Sequence, residues 1–577
     1  MSRPAVRVNQ LGYLPGAPQQ ATLVTDATAP LEFTIGGWRG WSRPWPPDPT
    51  SGLAVHVLDF TAADVRGEAR ITVGAEESHP FRVAPDVYEG LAADALGFFR
   101  RMRCAHPDTA VAAWTGPDAE RLYPGWHPTG RFDVSGGWYD AGDYGKYVVS
   151  GSLPAWQLLD VAPQECRWQL DWMLRMLVPA GQPFAGMAFH RVHGTEWSPL
   201  PGLPHEDPTT RVLHRPSTAA TLHVAAVAAA AARTFAGTPY AARLLAAARG
   251  AHAAAHRHPR LVAPDDEGRF GGGPYGDDRL DDDFYWAAAE LWLATGERPF
   301  LAELMACADH TGDVFDLAGF DFDRVAAPAR IDLALVESAL PDRDRVRASV
   351  VAAGERLLAL QADQPWGQPY APGAGWDWGS NGRILNNLVV LVAARAISGE
   401  RRFRNGVAVG VDYLLGRNAL GQSYVTGYGP DTTRTCGAAS SATTRRPARW
   451  RAGRTPGTPR DGRPTRAWSG GRRSAATSTS PPRRPPTTCA SGGTPRSPPS
   501  PTTLARHDAG AGDGAVGAAR DRRRRRGRPL RVPQRSRRAA VQRPAAAHAR
   551  RGARPDPPTR PRAPGVRRAA LGRHAGR

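Results

Sequence analysis

The chain has 577 residues, of which 41% are hydrophobic, and a formal net charge of +20. This length allows several domains, and the hydrophobic content is ordinary for globular proteins. The charge alone would suggest a nucleic-acid-binding protein, but residues 432–577 hold 36 arginines against five acidic residues. The first 431 residues are therefore mildly acidic, and we expect no specific nucleic-acid partner.

The cysteines and the N-terminus predict little special chemistry. Five cysteines form no CxxC pair and no paired framework, so neither disulfides nor a zinc site is predicted. The start, MSRPAVRVNQLGY, lacks the apolar core of a signal peptide, and no apolar run would span a membrane. As written, the sequence predicts a cytoplasmic protein with no membrane partner. A start codon placed too late would give a secreted protein the same appearance.

Residues 5–84 have the pattern of strands. VRVNQLGYLP, ATLVTDA, LEFTIGG, LAVHVLDF and ARITVGA are short, rich in β-branched residues and separated by Pro, Gly and Asp. This spacing predicts a small β-sandwich, to which we assign residues 1–86.

Residues 87–431 are predicted to form an all-α domain. Ser217–Phe235 begins with a candidate N-cap and continues in strong helix formers, and DDDFYWAAAELWLATGE and LNNLVVLVAARAISGE each end near glycine. Long loops rich in Gly, Pro, Trp and His separate the helices. Such loops on a helical scaffold are commonly functional, although folding on their own apolar residues is the alternative.

Residues 432–577 have a different composition. They contain no Phe, Tyr, Ile, Met, Asn, Glu or Lys, and Arg, Pro, Ala, Gly, Ser and Thr dominate. A segment this poor in apolar residues cannot offset its chain entropy by burial, so the sequence predicts disorder.

Two carboxylates lie three residues apart in GGWYDAGDYGKY, at Asp140 and Asp143. Such a pair suits general acid–base catalysis, binding of a hard cation, or a structural role in turns and helix caps. Trp126, Trp138 and Tyr139 lie nearby in the sequence and offer flat faces on which sugar rings could stack. Adjacent glycines allow tight turns close to a ligand.

Six ordered motifs resemble those of glycoside hydrolase family 9. They are VRVNQLGYLP, DVSGGWYDAGDYGKYVV, GMAFHRVHGTEW with its LPHEDP and LHRPSTAAT continuation, DDDFYWAAAELWLATG, WGSNGRILNN and YLLGRNALGQSYVTGYG. The resemblance covers about residues 5–430. It implies an immunoglobulin-like domain ahead of an (α/α)6 barrel.

The resemblance also implies an inverting glycosidase that cleaves β-1,4-glucan or cello-oligosaccharides, acts as a monomer and needs no cofactor for its chemistry. Asp143 would be the general base, and Asp140 would help to hold the attacking water. The side chains expected to bind substrate are Trp126, Trp138, Tyr139, His190, Trp376 and Tyr428. His193, His205 and His214 lie on the same loops, where a packed or solvent-facing role is the alternative.

A structural calcium ion is implied by acids before the FYWAA helix. Asp282 and Asp283 match these positions, and Asp323 is the candidate third ligand. The alternative is that acids at a helix start interact favourably with the helix dipole. Some family members bind zinc through cysteines, but Cys104 has no partner in GPDAERLYPGWHP, so no zinc is expected.

The family pattern stops near Gly429. Family members continue with a His-His-Arg stretch and an Asn-Glu segment whose glutamate is the general acid, but this chain has no glutamate after Tyr428. The tail's composition fits a GC-rich gene read out of frame, which the nucleotide sequence beyond codon 430 would test. The product as written should therefore be impaired, and the alternative is a non-catalytic β-glucan-binding protein. Other reactions occur on helical toroids, but the DAGD context argues against them.

Overall fold

The computed structural model describes residues 3–111, 126, 130–199, 202–264, 271–371, 376 and 379–433. All of them lie in the first of two compact units, Met1–Pro486. The second unit, Thr487–Arg577, lies outside the described residues, and so does the predicted disordered tail apart from Thr432 and Thr433.

The N-terminal region is built of short strands, as the alternating pattern predicts. The strands are β1 Val6–Arg7, β2 Gly12–Tyr13, β3 Gln20–Val24, β4 Glu32–Ile35, β5 Trp38–Trp41, β6 Arg43–Trp45, β7 Val55–Asp59, β8 Gly67–Ala69, β9 Ile71–Val73, β10 Glu76–Glu77 and β11 Phe81–Val83. They form three sheets with the orders β1–β3–β7–β6, β10–β9–β4–β5 and β2–β11–β8. The inward-facing side chains of these strands form one core, in which Phe60 and Phe81 both pack edge-on near Tyr13.

Helices dominate from residue 91 to residue 414. The described part of the chain contains α1 Leu91–Arg101, α2 Val148–Leu158, α3 Pro163–Arg175, α4 Thr218–Thr234, α5 Pro239–Arg257, α6 Asp281–Thr295, α7 Arg298–Ala306, α8 Ala308–Thr311, α9 Ala326–Leu335, α10 Arg343–Ala362, α11 Ser380–Ser398 and α12 Arg401–Leu414.

The ends of three helices follow the sequence signals. The amide of Ala220 donates to the Ser217 hydroxyl at 3.1 Å, which confirms the predicted N-cap of α4. Helices α6 and α11 end at Gly296 and Gly399, both in the left-handed region that glycine adopts without strain. Fifteen of the 17 residues of α4 are buried, so this alanine-rich helix lies inside the domain and touches neighbours on all sides.

The long loops between helices contain short strands. One five-stranded sheet has the order β13 Arg131–Asp133, β12 Thr109–Val111, β17 Arg211–Leu213, β16 Arg191–Gly194 and β14 Lys146–Tyr147. A two-stranded sheet pairs β15 Ala188–Phe189 with β18 Pro216–Ser217. These sheets fix the loop that carries Asp140 and Asp143, because β14 follows it directly.

The β-rich region and the helical region are joined by buried polar contacts. The Asn9 amide nitrogen donates to the Asp412 carboxylate of α12 at 2.8 Å. The Trp366 indole donates to Asp48 at 2.8 Å. A search of the described helices found none with the length and apolar character that crossing a bilayer requires.

Candidate active site

The loop between Gly136 and Lys146 is held in a tight conformation. Gly137 has a φ of 77°, and a Cβ there would come within 2.7 Å of the Trp172 ring, so this position requires glycine. Tyr144 has a φ of 54°, in the left-handed region that non-glycine residues rarely adopt. Such strain persists only where the surroundings fix the backbone, and it is common in functional loops.

The single lysine of the sequence anchors this loop. Lys146 is fully buried, forms an ion pair of 2.9 Å with Asp108, and donates to the carbonyl of Gly136 at 3.0 Å. Arg211 contacts the same Asp108 carboxylate at 3.4 Å and donates to the Tyr144 carbonyl at 2.8 Å. Arg211 therefore holds the strained residue directly, and Lys146 holds the start of the loop.

Asp143 is half-buried and only partly hydrogen-bonded. Its Oδ2 accepts a hydrogen bond of 2.9 Å from the Tyr147 hydroxyl, whereas its Oδ1 has no hydrogen-bond partner among the described residues. Burial, and then the nearby charge of Asp140, raise the pKa of Asp143 to about 6. Among the residues that the structure describes, Asp143 has no cationic ion-pair partner, so Oδ1 can accept a proton from a bound water.

Asp140 is held more fully. Its two carboxylate oxygens accept from the Ser150 hydroxyl at 3.1 Å and from the Tyr275 hydroxyl at 2.7 Å. The rings of Tyr275 and Tyr147 lie with their centroids 4.5 Å apart, and the Gly273 amide donates to the Tyr147 hydroxyl at 3.1 Å. One tyrosine pair thus supports both aspartates.

Several predicted sugar-binding side chains lie in the core, which corrects the expectation of open platforms. Trp138 is 6% exposed and donates its indole N–H to Glu165 at 3.1 Å, and Tyr139 is 5% exposed and bonds to His106. Trp126 is buried in the cluster that contains Met173 and Phe189. The apolar surface of these rings is removed from water on folding, so they stabilise the loop by packing in the core beneath it.

His190 is also buried, between the Ser217 hydroxyl and the Pro274 carbonyl, and does not face an open surface. Burial lowers its pKa to about 3, so the ring is neutral. His193 and His214 lie buried against each other, with their Nε2 atoms 2.6 Å apart, whereas His205 is exposed.

Trp376 and Tyr428 are half-buried. The Trp376 ring packs 5.1 Å from that of Tyr370 and stacks at 6.4 Å on that of Tyr413. The Tyr428 hydroxyl donates to Asp94 at 2.7 Å. Their expected role in substrate binding stays a prediction.

The predicted metal ligands come together at the start of α6. Asp282 and Asp283 are fully buried, and Asp283 Oδ1 lies 2.8 Å from His223 Nε2 without hydrogen-bond geometry. Burial first, then neighbouring carboxylates, raises the pKa of Asp282 to about 7 and that of Asp277 to about 8. The pKa of Asp283 is also raised well above its usual value by burial, with a contribution from Asp323.

The donor set of this acidic cluster fits a hard cation. Both oxygens of Asp283 and one oxygen each of Asp277, Asp282 and Asp323 are buried and have no hydrogen-bond partner among the described residues. Asp277, Asp282 and Asp323 also line a cavity of about 790 Å³. Uncompensated buried carboxylates are costly, and calcium prefers such oxygens.

Sequence reasoning missed the residues that support these groups. Asp277 lies in GDDRLDDD, where the run of acids was a visible signal. Tyr147 follows Asp143 by four residues, but nothing local indicates that it bonds to the carboxylate. Tyr275, Asp108 and Arg211 are distant in sequence, so only the fold brings them to the loop.

The architecture is a β-sandwich ahead of a helical domain, with a supported aspartate pair in one strained loop. This is the arrangement expected of a glycosidase with an N-terminal accessory domain. Comparison with known proteins agrees with this class. The model of glycosyl hydrolase family 9 matches residues 88–462, and that of the cellulase N-terminal ig-like domain matches residues 1–78. The chain therefore belongs to glycosyl hydrolase family 9, and the predicted sandwich followed by an (α/α)6 barrel is confirmed.

Individual relatives carry cellulase names. Endoglucanase C of Cellulomonas fimi is 43% identical over 491 residues, which cover 74% of this chain and 44% of the relative. Cellulose 1,4-beta-cellobiosidase of Acetivibrio thermocellus is 34% identical, with coverage of 74% and 58%. The chain thus spans less than two thirds of either relative. Among solved structures, "Bacteroides ovatus GH9" aligns with a TM-score of 0.67 at 25% identity, covering 77% of this chain and 90% of that chain.

Proposed function

We propose that this chain carries the base half of an inverting hydrolase of β-1,4-glucan or cello-oligosaccharides. The observation that carries the proposal is the asymmetry of Asp143: one oxygen is held by Tyr147, and the other is buried without a partner among the described residues. The family membership and the names of the relatives support the substrate class.

In this mechanism Asp143 Oδ1 accepts a proton from a water as that water attacks the anomeric carbon. Asp140 orients the same water while Ser150 and Tyr275 fix its carboxylate. The raised pKa of Asp143 makes it a stronger base than an ordinary aspartate, yet leaves it ionised at neutral pH. An inverting enzyme places its acid roughly 6.5–9.5 Å from the base.

The acid has no candidate in this chain as written. The last glutamate of the sequence is Glu400, and the segment in which the family acid is expected lies outside the described residues. We propose that this product is impaired on natural glucans, whose leaving group needs a proton. This feature also favours the second candidate, a β-glucan-binding protein without turnover.

A substrate whose leaving group needs no protonation tests the general base independently of the general acid. We expect the purified chain to hydrolyse 2,4-dinitrophenyl β-cellobioside, whose leaving group departs without protonation, and to leave cellohexaose nearly intact. Asp143→Asn should lower kcat on the aryl glycoside by about 10²–10⁴-fold, because general-base assistance is lost. Dinitrophenolate absorbance and chromatography of the oligosaccharides measure the two reactions.

The control is Asp281→Asn, an exposed aspartate outside the loop, which should keep full aryl-glycosidase activity. Equal rates for Asp143→Asn and the parent chain would contradict the assignment of the base. Normal turnover of cellohexaose would contradict the missing acid. Cellohexaose binding without cleavage of either substrate would favour the binding protein.

We further propose that the acidic cluster of Asp277, Asp282, Asp283 and Asp323 binds a structural calcium ion. The buried, unpartnered carboxylate oxygens support this assignment. The ion would offset the mutual repulsion of these side chains and fix the start of α6; it takes no part in the bond cleavage proposed above.

A further inference from the structure

A second side-chain cluster, away from the aspartate loop, joins α5 to α7. His252 and His256 lie one turn apart on α5, and both rings face Glu303 of α7. The Nε2 atom of His252 lies 3.1 Å from Glu303 Oε2, and that of His256 lies 3.0 Å from Oε1. Ligand atoms of all three side chains lie within 4.8 Å of one another.

Neighbouring aromatic rings hold the two imidazoles in place. The His252 ring packs edge-on against Phe300 at 5.4 Å, and the His256 ring lies 5.0 Å from that of Phe284. His252 is buried, whereas the His256 side chain is 50% exposed and that of Glu303 is 26% exposed. The cluster is therefore ordered on one side and open to water on the other.

This geometry matches the ligand spacing of a tetrahedral metal. Zinc bonds to imidazole nitrogen and carboxylate oxygen at about 2.0–2.2 Å, so ligand atoms at two corners of the tetrahedron lie about 3.3 Å apart. The Glu303 Oε1 atom lies 3.2 Å from His252 Nε2 and 3.0 Å from His256 Nε2, close to that value, so one carboxylate oxygen has the right spacing to both rings. Two imidazoles and one carboxylate favour zinc and its neighbours over calcium or magnesium.

We propose that His252, His256 and Glu303 bind a divalent transition-metal ion of the zinc type, with water in the fourth position. The site goes beyond the proposed hydrolysis and is distinct from the acidic cluster at the start of α6. Its effect is mechanical, because the ion links α5 to α7 where the Arg249–Glu297 pair, at 3.0 Å, already joins α5 to the N-terminus of α7.

A simple hydrogen-bonded network is the competing explanation. In that case Glu303 only accepts hydrogen bonds from the two rings. Both explanations use the same Glu303 carboxylate, which lies within 3.2 Å of both ring nitrogens, and only the response to added metal separates them.

Zinc binding to the full chain tests the site. The chain is stripped with chelator, saturated with calcium and titrated with Zn²⁺ against a chromophoric competitor. We expect one high-affinity zinc and a rise in Tm at submillimolar zinc. His256→Gln should weaken binding more than about 100-fold, because even outer-shell partners of metal ligands contribute 10–100-fold.

Glu297→Gln is the matched control, since it breaks a contact between the same helices without removing a ligand. It should bind zinc as the parent chain does, whereas Glu303→Gln should not. Cobalt bound in place of zinc should show tetrahedral ligand-field bands without thiolate charge transfer. Absence of zinc binding by the parent chain, or undiminished binding by His256→Gln, would overturn the proposal.

Discussion

At the scale of single residues, Asp143 shows how one loop tunes a carboxylate. Burial and the charge of Asp140 raise its pKa, while the hydrogen bond from Tyr147 lowers it. The balance near pH 6 places the change of ionisation where a glycosidase base would show it in a rate profile.

The acidic side of the pH–rate profile for aryl-glycoside hydrolysis should reflect the pKa of Asp143. Because the base acts when ionised, kcat/KM should fall as the pH drops below about 6. Asp140→Asn removes a nearby negative charge, so this side of the profile should move to lower pH. Tyr147→Phe removes a hydrogen bond to the carboxylate, so it should move to higher pH. Profiles of kcat/KM against pH measure both shifts, and shifts in the same direction would refute the assignment.

At the scale of elements, the start of α6 gathers more negative charge than a helix N-terminus needs. Three consecutive aspartates lie in its first turn, but their environments differ. Asp281 is exposed, whereas Asp282 and Asp283 are fully buried. Favourable interaction with the helix dipole does not require burial, so the burial of this pair supports the cation site that we propose.

Calcium should therefore stabilise the parent chain and raise its Tm relative to chelator. The free energy of unfolding should rise by about 2.7 kcal/mol when free calcium is at 100 times its Kd. Asp283→Asn should remove this increment and stabilise the calcium-free protein, because one buried charge is lost. Differential scanning calorimetry with calcium and with chelator measures both effects.

Asp281→Asn is the control in the same helical turn and should keep the calcium response. If the acids served the helix dipole alone, both substitutions would destabilise α6, and neither effect would depend on calcium. An unchanged Tm of the parent chain in calcium and in chelator would exclude the site.

At the scale of the whole molecule, the N-terminal segment VRVNQLGY helps to dock the sandwich onto the helical region. Asn9 donates to both the Asp412 carboxylate and the Tyr88 hydroxyl at 2.8 Å, and its own oxygen accepts from the Leu11 amide at 3.0 Å. Burial raises the pKa of Asp412 to about 8. The sandwich thus supplies, through Asn9, a hydrogen-bond donor to the buried Asp412 carboxyl of α12.

Asn9→Ala should destabilise the chain by about 1–3 kcal/mol, the cost of an unsatisfied buried group. Gln20→Ala, which breaks an exposed hydrogen bond to Asp59 within the same sandwich, should change stability by less than about 0.5 kcal/mol. Urea denaturation measures both variants. Equal losses would mean that Asn9 makes no special contribution to docking.

Local sequence signals predicted where helices begin and end, whereas the candidate sites depend on contacts between residues that are distant in the sequence. The Ser217 cap and the glycines after α6 and α11 are readable because a few neighbouring residues determine helix ends. The burial of Trp138 was not readable, because ring exposure depends on which helices cover it. His252 and His256 have visible helical spacing, but their partner Glu303 lies 47 residues beyond His256.

The solitary lysine has a practical consequence for anyone handling this protein. Lys146 is inaccessible in the folded chain, and the arginines that carry the rest of the positive charge do not react as primary amines. Acylating reagents, aldehyde fixation and carrier coupling through ε-amino groups therefore find no side-chain target on the intact fold. Acylation at that one position would mark molecules in which the loop that carries Asp140 and Asp143 has opened, which makes the residue a built-in reporter of local unfolding.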